Sequence, residues 1–145
     1  MQSGGEIYQN INSLAEGTFV LVAAEGYKKE YQAPPQPMFT DADLEKQIHD
    51  ALTQKWRSTT VIRKVILTEK EWRVETNALG VPVHKVLRVY AITNPNPEKY
   101  TPEEASHCYA TPYEVKREYA GNGQYSTQVK WHSSGGRDNY EVECQ

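Results

Sequence analysis

A single amphipathic helix stands ahead of a long series of strand-like segments, and that order constrains the fold more than any other feature. Leu44, Ile48, Leu52 and Trp56 recur at helical spacing, with Ala51 beside them, while Asp43, Lys46, Asp50 and Gln54 face away. Thr40 is placed to cap the start, with Asp43 behind it, and Lys55 and Arg57 sit near the negative end of the helix dipole. The pattern predicts a helix over 40–56. A helix with one apolar stripe needs a partner layer, and the segments that follow are strands, so the class is α+β.

Thr59 to Leu67 is β-branched and apolar on both faces, which suits a central strand. Glu71-Trp72-Arg73-Val74-Glu75 alternates, so Trp72 and Val74 are expected to face inward, and Asn77-Ala78-Leu79-Gly80 turns the chain. Val83 to Ile92 is the longest strand, ended by Asn94-Pro95-Asn96-Pro97. Thr101-Pro102-Glu103-Glu104 opens one helical turn. His107 to Ala110 reads as a short strand stopped by Pro112, followed by strands over 113–119, 125–131 and 140–144. Gly121-Asn122-Gly123 and 133–138 are the turns of this meander.

The expected architecture is one amphipathic helix on a curved, mainly antiparallel sheet of about five to seven strands. The alternative is a β-barrel with one covering helix. One helix followed by consecutive strands resembles the cystatin-like and NTF2-like layouts, and the NTF2-like resemblance implies a ligand pocket between helix and sheet. Residues 1–38 form an N-terminal segment: a short helix over about 6–15, a strand from Thr18 to Ala24, and a connector holding Pro34-Pro35-Gln36-Pro37. Residues 39–145 form the core of what is one domain overall.

At 145 residues the chain is long enough to bury a core, and its net charge of -3 exerts no global attraction for nucleic acid or anionic membrane. No apolar run is long enough to span a bilayer. The polar lead Met1-Gln2-Ser3-Gly4-Gly5-Glu6 fits either a cytoplasmic start or the remnant of a trimmed signal or lipid-attachment segment. Charge is uneven. Lys55, Arg57, Arg63, Lys64, Lys70, Arg73, Lys85 and Arg88 face only Glu69, Glu71 and Glu75 between positions 55 and 90, whereas the preceding stretch is acidic. This forms either a solvated face or a basic patch for an acidic partner.

Cys108 and Cys144 are the only cysteines. Each lies on an expected strand, so the pair is a disulfide candidate. Two buried thiols and a reactive thiol are the other states open to it. A bridge would stabilise by roughly 3–4 kcal/mol in the chain-entropy model and would imply an oxidising compartment: periplasm, cell surface or exterior. His107 is adjacent to Cys108, but neighbours on a strand point to opposite faces, which disfavours a thiol–imidazole pair. His49, His84, His107 and His132 match no standard metal-ligand spacing, so neither a metal nor a cofactor is expected.

Ten tyrosines against two phenylalanines favour half-wet sheet surfaces. Tyr113 and Tyr119 share one strand face and Tyr125 and Trp131 another. With Tyr140 they form either sheet core or a concave aromatic surface for a ligand. His84, Arg88 and Tyr90 share one face of the longest strand and are the polar members of an alternative pocket. The expectation is a small exported, periplasmic or lipoprotein-like bacterial domain, without catalysis, that binds a protein or other ligand. Its competitor is an NTF2-like small-molecule binder or enzyme. Nucleic acid is not an expected partner of either.

Overall fold

The computed structural model describes residues 30–144, nearly all of which belong to the compact unit Gln32–Gln145. The expected helix over 6–15 and strand from Thr18 to Ala24 lie outside the described residues. Helix α1 spans Ala42–Trp56. Its cap is Asp41, whose Oδ1 accepts the Leu44 amide at 3.1 Å, while Glu45 Oε2 accepts the Asp41 amide at 2.9 Å. The cap expected at Thr40 is therefore one residue later. Asp is at least as good a cap as Thr, and Glu45 completes a reciprocal pair that Asp43 would have made for Thr40.

The strands are β1 (Thr60–Ile66), β2 (Arg73–Thr76), β3 (Pro82–Pro95), β4 (Cys108–Gly121), β5 (Gln124–Tyr125), β6 (Lys130–Ser133) and β7 (Tyr140–Val142). The short helix α2 (Pro102–Ala105) precedes β4 and carries a complete capping box between Thr101 and Glu104. All pairings are antiparallel, and the seven strands form one open sheet, so the barrel alternative is not the form adopted. Its centre is the β3–β4 ladder, in register from His84↔Glu118 to Thr93↔Tyr109. β2 and β1 attach one after the other to the outer edge of β3, and β7, β6 and β5 attach in turn to the outer edge of β4.

Alternation along β3 and β4 gives the sheet two unlike faces. Leu87, Val89 and Ala91 of β3 and Tyr113 and Val115 of β4 meet Leu44, Ile48 and Leu52 of α1, with Ile62, Val65, Leu67 and Val129 completing this core. On the reverse face a smaller cluster joins Ile66, Ile92, Cys108, Ala110 and Val142, flanked by Tyr90 and Tyr140. Trp72 packs at the edge of the main core as expected, but Val74 is 50% exposed because β2 runs beyond the cover of α1.

The expected break at Pro112 is absent, and β4 runs through it. β7 pairs as far as Ala110 and β6 starts at Glu114, so no strand occupies that edge at Pro112 and its missing N–H is not needed there. The loop after β6 fills the gap. Gly135, at φ +72°, lies so near β4 that a Cβ would stand 2.7 Å from the Tyr113 nitrogen. The Gly135 carbonyl accepts from Arg88 Nε at 3.2 Å.

Cys108 and Cys144 form a disulfide with Cα atoms 5.3 Å apart, tying the residues after β7 to the first residue of β4. The Pro-rich segment is also held: Met38 N donates to Leu67 O at 2.8 Å, and Tyr140 Oη donates to Ala33 O at 3.0 Å.

Leu52 has no solvent exposure. Replacing it with alanine is expected to lower unfolding free energy by about 2–5 kcal/mol, against less than about 0.5 kcal/mol for Leu79→Ala on the surface. Urea denaturation of the two variants measures the difference.

Candidate functional site

The aromatic residues singled out in the sequence do not form one patch. Tyr113 is buried under the end of α1, its ring 6.4 Å from that of Trp56, which meets Trp131 edge to face at 6.0 Å. Lys55 Nζ sits 4.4 Å from the Trp131 ring centre. Tyr119 and Tyr125 pair across the β4–β5 hairpin with rings 5.2 Å apart. Tyr140 belongs to the reverse face, because it pairs with Ala110. Beyond α1, the Tyr119–Tyr125 pair is extended by Trp72, Lys85 and Arg117, which the sequence did not tie to it as one row. Lys85 Nζ lies 5.0 Å from the Tyr125 ring and 5.2 Å from Trp72, and Arg117 lies 5.1 Å from Trp72. Cross-strand pairing of Lys85 with Arg117 builds this row, which Gln47 of α1 joins by accepting from Arg117 at 3.0 Å.

His84, Arg88 and Tyr90 do share a face of β3, but it is the face turned away from α1. The helix side of that strand is occupied by Leu87, Val89 and Ala91. The three residues therefore do not line a space between helix and sheet. Arg88 binds the 134–139 loop through Gly135 and Asp138 and lies over the Tyr90 ring. His84 belongs instead to a polar cluster on the same face.

In that cluster His84 Nε2 donates to Glu75 Oε1 at 2.7 Å, and His132 Nε2 lies 3.6 Å from the same oxygen. The two imidazole rings are 4.7 Å apart. Glu75 and His84 are direct partners in the β2–β3 register. His132 arrives through an irregularity in β6: Trp131 pairs with Val115 and Ser133 with Glu114, leaving His132 as the extra residue of a bulge. Arg73 holds the other oxygen of Glu75 and one oxygen of Glu114, each at 3.2 Å, and Ser133 Oγ donates to Glu114 at 2.9 Å. The His84 hydrogen bond holds the Glu75 carboxyl below the usual carboxylate range, and Lys130 does the same for Glu118. Helical and loop spacing rules could not reveal this cluster. The one available signal was the Asn77–Gly80 turn, which sets Glu75 opposite His84.

On the α1 side, next to the end of the helix, a cleft of about 330 Å³ is lined by Thr59, Thr60, Thr93, Thr111, Tyr109 and Tyr113, together with Asn94, Pro95, Tyr100 and Asn139. Its walls offer hydroxyl and amide groups and no charged side chain. Thr93 and Thr111 hydroxyls bond across the β3–β4 ladder at 3.1 Å.

No protein-family model matches the chain, and no match was found among curated proteins or solved structures.

Burial pushes the Tyr113 phenol up to about 12. A phenol with a raised folded-state pKa contributes stability that is intact below its unfolded value of about 10 and is lost as pH rises toward the folded value. Ultraviolet titration is expected to show one tyrosine ionising well after the rest. Tyr113→Phe should remove that late step and flatten the decline of stability between about pH 10 and 12.

Proposed function

We propose that this protein is a small exported domain, working in the periplasm, at the cell surface or outside the cell, that binds a protein or other ligand. The observation that supports it is the Cys108–Cys144 disulfide, since such bonds persist where thiols are not kept reduced. Among the described residues no helix is long and apolar enough to cross a membrane. The bond also ties the segment after β7 to the first residue of β4. For binding, the row of Trp72, Lys85, Arg117, Tyr125 and Tyr119 offers aromatic faces and positive charge together at the end of the sheet beyond α1.

A second reading, a small-molecule binder of the NTF2-like kind, is favoured by the hydroxyl-lined cleft. Its volume falls within the range of ligand pockets, and its lining suits a neutral polar molecule.

Protein isolated from its native host and alkylated under denaturing conditions tests the export reading. Cys108 and Cys144 are expected to alkylate only after reduction; labelling of both without reductant overturns it. A nuclear magnetic resonance screen against neutral polar compounds separates the two binding readings. Shifts centred on Thr60, Tyr109 and Thr111 support the cleft, and silence there across the screen removes the second reading.

A further inference from the structure

We propose that Glu75, His84 and His132 form a binding site for a divalent transition-metal ion, zinc fitting best, on the sheet face turned away from α1. The inference does not depend on export or on either binding reading. Its basis is the convergence of two imidazole nitrogens and a carboxylate oxygen, all within 4.8 Å of one another, from three separate strands. β4 lies between β3 and β6, so the two imidazoles lean toward each other above it to reach a ring separation of 4.7 Å.

The donor set and its dimensions suit zinc. Two ligands each about 2.0–2.1 Å from a tetrahedral ion stand roughly 3.3 Å apart. The distances from Glu75 Oε1 to the two imidazole nitrogens, 2.7 Å and 3.6 Å, fall on either side of that value. Insertion of an ion therefore replaces the His84–Glu75 hydrogen bond, shifts each imidazole by about half an ångström relative to Glu75 Oε1, and draws together two imidazole nitrogens that already lie within 4.8 Å of each other. Two imidazoles and one carboxylate favour zinc and its transition-metal neighbours over magnesium or calcium, which prefer oxygen donors.

The surroundings support the same assignment. The bulge in β6 re-aims His132 out of the ladder and toward Glu75, a use to which bulges are often put beside functional sites. Arg73 fixes the second carboxylate oxygen of Glu75, leaving Oε1 directed at the histidines, and is itself shared with Glu114. Such outer contacts orient metal ligands. Arg73, Lys116 and Lys130 are balanced by Glu75, Glu114 and Glu118, so neutral imidazoles leave the cluster without excess positive charge to repel a cation. Three protein ligands leave a fourth position for water or for a donor atom of a bound molecule.

The test uses oxidised protein freed of metal by a chelator and titrated calorimetrically with zinc. One equivalent is expected to bind. His84→Gln and His132→Gln should each weaken binding by about tenfold or more, the double variant should abolish it, and His49→Gln and His107→Gln should leave it unchanged. Imidazole resonances of the unmodified protein give a readout that needs no variant: zinc should move those of His84 and His132 and leave those of His49 and His107 in place. Failure to take up zinc, uptake equal in the His84→Gln/His132→Gln protein, or shifts confined to His49 or His107 each overturns the site. The failure of this test leaves the disulfide result untouched, and the converse also holds.

Discussion

The pairing of β3 with β4 is the constraint on which the other elements depend. Ten consecutive pairs, from His84↔Glu118 to Thr93↔Tyr109, run without a register shift, and every other strand joins the sheet through one of these two. One continuous register also fixes which residues share a face. A slip of one position would exchange Leu87, Val89 and Ala91 for Val86, Arg88 and Tyr90 beneath α1. The apolar stripe of Leu44, Ile48 and Leu52 makes that exchange costly, because it would press a guanidinium into a dry interface. Helix and ladder thus select each other.

With the register set, the two faces have different tasks. The helix side holds the larger core and, past the end of α1, passes into a hydroxyl-lined cleft. The reverse side holds a small apolar cluster at the disulfide end and an ionic cluster around Glu75 at the other. Polar side chains from β2, β3 and β6 meet there because neither described helix covers them and Glu75, His84 and His132 stay only half-buried. Buried fully, the same charges would carry a large desolvation cost.

The helix, its stripe and most strands were legible because their apolar periodicities are local and regular. Leu44, Ile48 and Leu52 are the buried residues of α1, and the segments around Thr59–Leu67 and Val83–Ile92 form strands near the expected limits. The strand through Pro112 was not legible, since a proline is excluded only where a neighbour needs its N–H, and the gap between β7 and β6 is a tertiary fact. The division of Tyr113, Tyr119, Tyr125, Trp131 and Tyr140 among three places follows from which strand pairs with which part of β4. Glu75 and His84 could have been matched across their turn. His132 could not, because a bulge has no dependable signature in a single sequence.

Gly135 has a consequence for the behaviour of many copies of this chain together. An unpaired stretch in the middle of a long strand is a template on which a second molecule can dock its own backbone and begin a fibre. At Thr111–Tyr113 that template is occupied by the chain's own loop, pressed against the strand at a distance only glycine tolerates and pulled down by Arg88. Colloidal safety at this stretch thus comes from intramolecular plugging by bare backbone, where other sheets set a lysine or a second proline on guard.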